Sequence, residues 1–522
     1  MQENQNLSEE FSYDVIAYPS QILLQTHPTH LAAVAKLYGM NPAPADKCRV
    51  LELGCGTGTN LNWQAHGFPE SEFVGIDLAQ NHIVEAKQDA EELGLQNVSF
   101  FQQDVMEITE KTFGKFDYII AHGLYSWVPD FVREKVLSLY DGLLNAEGIG
   151  FISYNVYPGA YRRRIMMDMM KFHTRGIETP IEKVKKGIGF IEFLTEQTAQ
   201  PQLNREILNA EFENLVKYPL EKIYHDELAE VSQPFYFTEF IADAEKHNLK
   251  FLSESENLPT QKDNFPEEII QAFENISRNI VEYEQFADFL ECRRFRQTLL
   301  CKKDVVLETK INPSKLKDLY ISSLLKPTSP TIDLSPDSFK EFLNFKNEGI
   351  DVGHNLTKVV LANLVNLGAH LNTFNELIEK ANEILNSQGI LYEDLEQEAE
   401  ITASLLLQLY SPNAIGFHTG KPDYLDYVSE RPIAGKFTRW QAKRGDLAIN
   451  FCGAALNIQD DSIRLLLNLL DGTRTREDLI KDLVETIKSN NEIADDENFL
   501  TQMTAKLDRD LFILAKMGFL VG

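Results

Sequence analysis

The segment Arg49-Val-Leu-Glu-Leu-Gly-Cys-Gly-Thr-Gly58 constrains this chain more than any other. An apolar run ends in Glu52-Leu53-Gly54 and passes into Gly54-Cys55-Gly56-Thr57-Gly58 ahead of a helical pattern. Short apolar runs bounded by a turn are buried strands. Glycines let the backbone turn tightly and come close to a ligand where a Cβ would clash. Strand, glycine turn and helix in that order begin a parallel α/β sheet, which binds ligands at the carboxyl ends of its strands.

The next segments continue that alternation. Strands are predicted over Glu72–Asp77, Val98–Gln103, Phe116–Ala121 and Gly148–Tyr154, with helical patterns over Ala79–Leu93 and Asp130–Leu144. Strand signals then vanish from Arg162 to about Ser232. They return after a helix over Tyr236–His247, as Lys250–Ser253 and Arg296–Lys302. The result is an α/β class with a helical insertion.

The glycine turn reads GxGxG, preceded in the strand by the acid Glu52, rather than the GxGxxG of dinucleotide enzymes. That form is typical of enzymes using S-adenosylmethionine (SAM). Asp77, 23 residues after Gly54, closes the second strand and is expected to accept from ribose hydroxyls, with Leu78 beside it. Asp104, 27 residues later, closes the third and is expected to accept from an adenine amino group while the Val105 amide donates to the ring. Glu52, Gly54, Gly56, Gly58, Asp77, Leu78, Asp104, Val105 and His122 are the expected cofactor residues. The competing reading is three strand ends in an unrelated doubly wound protein.

Phe116-Asp-Tyr-Ile-Ile-Ala-His-Gly-Leu-Tyr-Ser-Trp-Val-Pro129 is the fourth strand and its loop. His122, Tyr125 and Trp127 are expected to face the transferred group, the alternative being a satisfied strand-end histidine and a packing tryptophan. After the fifth strand, Tyr154, Asn155 and Tyr157 are expected to line an acceptor pocket. Tyr13, Tyr18 and His27 lie on an aromatic and polar arm before the first strand, which either folds over the ligand or straps the domain down.

Composition narrows the partners. The 522 residues carry 79 Asp and Glu against 50 Lys and Arg, a formal charge of −29, which disfavours nucleic acid and anionic membrane. The start MQENQNLSEE is not a secretory signal, and no apolar run is long enough to span a membrane, so a cytoplasmic protein is expected. Five scattered cysteines without CxxC spacing read as reduced thiols, and no metal site is expected. The basic clusters Arg162–Arg164 and Arg293–Arg296 read first as ion pairs or solvated faces.

Lys326–Asp337, rich in Pro and Ser, reads as a linker or long loop. Lys358–Leu385 carries an apolar stripe at helical spacing. Ser462–Leu470, Arg476–Ile487 and Phe499–Met517 read as three helices in a winged-helix-like unit. Residues 461–522 hold eight Lys or Arg and twelve Asp or Glu, so packing or protein contact is favoured over DNA reading.

Gln25-Thr-His-Pro28, Glu52-Leu-Gly-Cys-Gly-Thr-Gly58, His122-Gly-Leu-Tyr-Ser-Trp-Val-Pro129, Tyr154-Asn-Val-Tyr-Pro-Gly159, Tyr224-His-Asp-Glu-Leu228 and Phe289–Cys301 together resemble one branch of bacterial class I SAM-dependent methyltransferases. That branch carries a methyltransferase regulatory domain and includes rickettsial-type lysine methyltransferases of outer-membrane proteins. The chain departs from the pattern at Ala160 and across Gln21–Leu24. The resemblance implies a Rossmann-like seven-stranded sheet whose last two strands follow the helical insertion, plus a C-terminal mainly helical, winged-helix-like region. It implies a SAM-binding domain over 1–161, a regulatory or dimerisation insertion over 162–232, and the last catalytic strands over 233–305. A middle helical domain over 306–430 and a winged-helix-like domain over 431–522 follow. It further implies methyl transfer to lysine of a protein substrate, and allows a homodimer. A small-molecule methyltransferase and a non-catalytic SAM-binding regulator are the other readings.

Overall fold

A computed structural model describes residues 16–522 apart from 198–200, 257, 259–264, 336, 345, 369, 412–413, 422–423, 451–452 and 491–496. Helix α1 (Pro28–Leu37) precedes strand β1 (Arg49–Leu53), helix α2 (Thr59–Gly67), β2 (Glu72–Asp77), α3 (Gln80–Leu93) and β3 (Val98–Gln102). Short α4 (Glu110–Phe113), β4 (Phe116–Ala121), α5 (Asp130–Leu143) and β5 (Leu144–Asn155) follow. Helices α6 (Ala160–His173), α7 (Pro180–Glu196), α8 (Gln202–Leu215) and α9 (Leu220–Glu227) form the insertion. The sheet is completed by α10 (Phe237–Lys246), β6 (Leu249–Glu254), α11 (Glu267–Ile276), α12 (Ile280–Glu291) and β7 (Phe295–Lys302).

The seven strands run in the order β3-β2-β1-β4-β5-β7-β6. β7 is antiparallel to both its neighbours, and the other sheet pairings are parallel. Successive side chains of a strand point to opposite faces, and both faces here are apolar. Leu51, Ile119, Ile152 and Leu300 pack on one side with Tyr140 and Phe240. Val50, Tyr118, Phe151 and Leu299 pack on the other, in a core that continues through α1. Each fully buried Leu or Ile contributes about 1.5–3 kcal/mol of burial free energy. The sheet is the Rossmann-like methyltransferase fold.

Residues 306–430 differ from the helical expectation. Strands β8 (Tyr320–Ser323), β9 (Lys326–Pro327), β10 (Lys340–Leu343) and β11 (Gly349–Val352) lead into helix α13 (Asn355–Leu367). After it come β12 (Asn372–Thr373), α14 (Phe374–Ser387), α15 (Leu395–Gln408) and β13 (Ile415–His418). Two three-stranded sheets therefore sit among three helices. The apolar stripe over 358–385 is broken into two helices at Gly368, whose φ of +65° a side chain rarely tolerates. A capping box of Thr373 and Glu376 then starts α14. The Pro- and Ser-rich stretch is a fixed loop rather than a free linker, because Lys340 and Lys358 donate to its carbonyl oxygens at Thr331 and Asp333.

The C-terminal winged helix consists of α16 (Lys436–Ala442), the hairpin β14 (Leu447–Ile449) and β15 (Ala455–Asn457), α17 (Asp461–Leu469), α18 (Arg476–Asn490) and α19 (Glu497–Lys516). Its own core includes Leu466, Leu483, Leu511 and Phe519. It docks on the sheet domain where Phe437 of α16 meets Trp63 and Leu93. Among the described residues, no helix is long and apolar enough to cross a membrane.

Candidate active site

A cavity of about 480 Å³ opens at the carboxyl ends of β1 to β4. Its floor is the glycine turn, where Gly54, Gly56 and Gly58 adopt φ of +73°, +53° and +70°. The demands on these glycines differ. A Cβ on Gly58 would lie 2.7 Å from the Ala86 Cβ and 2.6 Å from the Phe100 ring, so packing forbids one. A Cβ on Gly56 would meet nothing within 4 Å, so the backbone there is open to a ligand.

Asp77 holds the turn in place. One carboxylate oxygen accepts from the Gly56 N–H at 2.8 Å and the other from the Ala79 N–H at 2.9 Å. Glu52, Gly54, Leu78, Asp104 and Val105 also line the cavity, and Asp104 accepts from the Met106 N–H. Glu52 accepts from the Asn60 amide at 3.1 Å through one oxygen, while the other is buried and unpartnered. Burial, reinforced by nearby Asp77, pushes its carboxyl up to about 8.

That shift predicts a pH effect. The folded chain retains a proton at Glu52 that the unfolded chain releases above about pH 4.5. The stability it contributes is present in acid and lost as pH rises through about 8. Glu52→Gln is expected to flatten the fall in melting temperature over this window. An identical pH slope in wild type and variant would refute the shift.

A strap over residues 18–24 closes the cavity, with Tyr18, Ser20, Gln21 and Leu23 in its wall. The Leu23 N–H donates to the Asn60 side chain at 3.0 Å, and the Ser20 and Thr57 hydroxyls pair at 2.7 Å. Sequence reasoning named Tyr18 here but not Ser20, Gln21, Leu23, Thr57 or Asn60.

A second cavity of about 530 Å³ adjoins the first. Tyr18, Gln21, His122, Gly123, Trp127 and Asp226 belong to both walls. Asn155, Arg163, Lys222 and Phe295 line the second alone. Arg163 is held by Glu227 at 2.6 Å and Asp226 at 3.5 Å, with its guanidinium 5.8 Å from the Trp127 ring. Two serines brace the junction: Ser153 accepts from the Gly123 N–H and Ser126 from the Asn155 N–H. Burial and nearby Lys222 push His122 down to about 4, so its imidazole is neutral at pH 7. The His122 Nδ1 has no hydrogen-bond partner among the described residues.

Four expected site residues lie elsewhere. Tyr125 is buried against Phe240, with ring centroids 5.3 Å apart, because it begins a tight turn that brings Trp127 round to the cavities. Tyr154 stacks on Phe240 at 4.0 Å and its hydroxyl pairs with Thr298 at 2.8 Å; the pleat turns it into the core and leaves Asn155 in the wall. His27 is buried between Trp63 and Phe68 and pairs with Thr29, away from both cavities. Tyr157 stacks on Tyr161 at 4.2 Å, outside both walls. Tyr13 lies outside the described residues. Among those residues, no group of three or more His, Cys, Asp or Glu is arranged to hold a metal. The two arginine clusters form ion pairs, Arg163 of the first with Glu227, and in the second Arg294 with Glu211 and Arg296 with Glu254, Glu284 and Asp288.

Residues 44–183 match the methyltransferase domain family, 220–302 the predicted methyltransferase regulatory domain, and 430–517 the PKMT C-terminal winged helix domain. An uncharacterized protein of Rickettsia prowazekii is 32% identical over 83% of this chain and 78% of its own length. The chain belongs to the class I SAM-dependent methyltransferases with a regulatory domain. The methyltransferase is also similar to PKMT2 from Rickettsia typhi, with a TM-score of 0.83 and 26% identity, covering 97% of this chain and 100% of that one. PKMT2 has also been solved in complex with AdoHcy, at 27% identity to this chain. Malonyl-[acyl-carrier protein] O-methyltransferase of Bacillus anthracis is 27% identical over 30% of this chain and 57% of its own length. SAM is the cofactor of this methyltransferase. The open backbone at Gly56 and the unpartnered Glu52 oxygen fit a ligand that brings close-lying polar groups.

Proposed function

We propose that this methyltransferase modifies lysine side chains of protein substrates in the cytoplasm. The observation that carries the reading is the second cavity: it meets the cofactor cavity at a common wall and is lined by charged and polar groups such as Arg163, Lys222, Asp226 and Asn155. A pocket for a small apolar acceptor is predominantly apolar, with few polar groups. The whole-length likeness to PKMT2 supports the same reading.

The residues at the junction suit an amine. Asp226 supplies a carboxylate and Trp127 an aromatic face to a side-chain ammonium entering from the second cavity. The neutral His122 lies in the wall common to both cavities, so its ring adds no positive charge against an amine whose proton has left to solvent. SAM supplies a methyl on a sulfonium, so that as the amine nitrogen bonds to carbon the carbon–sulfur pair leaves with S-adenosylhomocysteine (SAH). The strap and the braced Gly123 and Asn155 exclude water and fix the line of approach.

Purified protein incubated with methyl-labelled SAM and cell lysate is expected to yield label on protein that maps to lysine by mass spectrometry. Label confined to small molecules would replace the proposal with a small-molecule acceptor.

A further inference from the structure

Along the strap, Tyr18 to Gln21 and Leu23 line the cavity, whereas Ile22 and Leu24, which begins a tight turn, do not. Gln21 and Leu23 face the cofactor cavity. Ile22 and Leu24 face the winged helix. Ile22 packs on the cluster formed by Trp63, Leu93 and Phe437, flanked by Trp440. Leu24 presses on Gly453 in the turn of the β14–β15 hairpin, where a Cβ would overlap the leucine side chain. Gly453 is glycine on both grounds, since its φ is +81°.

The hairpin turn is itself anchored to the sheet domain. The Asn450 carbonyl accepts from the Trp63 indole N–H at 3.1 Å, and the Asn450 side chain accepts from the Ala454 N–H at 2.8 Å. Arg444, just beyond α16, pairs with Glu92 at 2.8 Å and Asp89 at 3.3 Å on α3. Besides the strap's bonds to Asn60 and Thr57, Tyr18 donates to Asp226 at 3.3 Å.

We propose that the winged-helix domain serves as a clamp on the cofactor strap, with Ile22 and Leu24 as positioning residues that set how tightly and how long the cofactor is held. One face of the strap closes the cavity because the other face is seated on a second domain. For bound cofactor to leave, Ile22 and Leu24 must lift from the Trp63–Leu93–Phe437 cluster and from Gly453. The domain's acidic charge suits this packing role.

The test uses full-length protein and SAH, read by calorimetry and by dissociation rate in stopped flow. Neither Ile22 nor Trp440 lines the cavity, so any effect must pass through the strap. Ile22→Ala and Trp440→Ala are each expected to raise the SAH Kd about tenfold and to speed dissociation. The double variant is expected to add little, because both loosen the packing of one cluster. Ile22→Val is expected to restore most of the affinity. Phe512→Ala trims exposed apolar surface from the same domain and is expected to change neither quantity. Unchanged SAH affinity and dissociation in Ile22→Ala, which alters only the strap side, would overturn the proposal. So would an equal loss in Phe512→Ala, which would mark a general loss of stability. These readouts involve no acceptor and are independent of the lysine assignment.

Discussion

Arg296→Met is expected to destabilise the fold by about 3–5 kcal/mol, the usual cost of removing one member of a buried ion network. Arg296 is fully buried on β7 and its guanidinium reaches three carboxylates. It donates to Asp288 at 2.8 and 2.9 Å, to Glu254 at 2.8 Å and to Glu284 at 3.0 Å, and lies 3.8 Å over the Phe237 ring. Methionine preserves much of the stem's volume but none of the donors. Arg293 alone would remain, at 3.2 Å from Asp288 and 3.3 Å from Glu284. Burial already pushes Asp288 up to about 6 with Arg296 in place. In the variant it rises further, so the folded state binds protons that the unfolded state has released. The deficit should therefore be largest near neutral pH and shrink as pH falls toward 5. Urea unfolding at the two pH values checks this, and a loss under about 1 kcal/mol at neutral pH would refute the network's importance.

Asp77→Ala is expected to weaken SAM and SAH binding by about 100-fold, or about 2.7 kcal/mol. The carboxylate accepts the Gly56 and Ala79 N–H groups and lines the cavity, so its loss loosens the turn and would remove the ribose acceptor expected from the sequence. A hydrogen bond to a charged group is worth about 1.5–3 kcal/mol, and more than one is lost. Asp77→Asn keeps one acceptor oxygen and should fall between. Calorimetry with SAH measures the effect directly. Unchanged affinity with a lowered melting temperature would make Asp77 a purely structural brace.

The first cavity was legible because its signals are local. The strand ending at Leu53, the glycine turn and the acids Asp77 and Asp104 stand at strand ends whose periodicity shows in a few residues, and the observed strands differ from expectation mainly at their ends. The second cavity was not. Arg163, Lys222, Asp226 and Phe295 come from α6, α9 and β7, and only packing of the insertion against the sheet brings them to one cavity. Within the correctly located loop, apolar character could not say which aromatic turns outward. The tight turn over Tyr125–Trp127 buries the tyrosine, and the pleat of β5 turns Tyr154 into the core while Asn155 stays in the wall of the second cavity.

By itself, then, the sequence determined the α/β alternation, the glycine turn and the acids that serve it, because each follows from backbone freedom and side-chain period within one element. Tertiary structure decided the rest: the second cavity, the burial of Tyr125, Tyr154 and His27, and the seating of the strap on Gly453. Those outcomes depend on contacts between residues far apart in the chain, from His27 and Trp63 to Leu24 and Gly453 or Trp63 and Asn450. A pattern read along one element holds no record of which distant surface covers it.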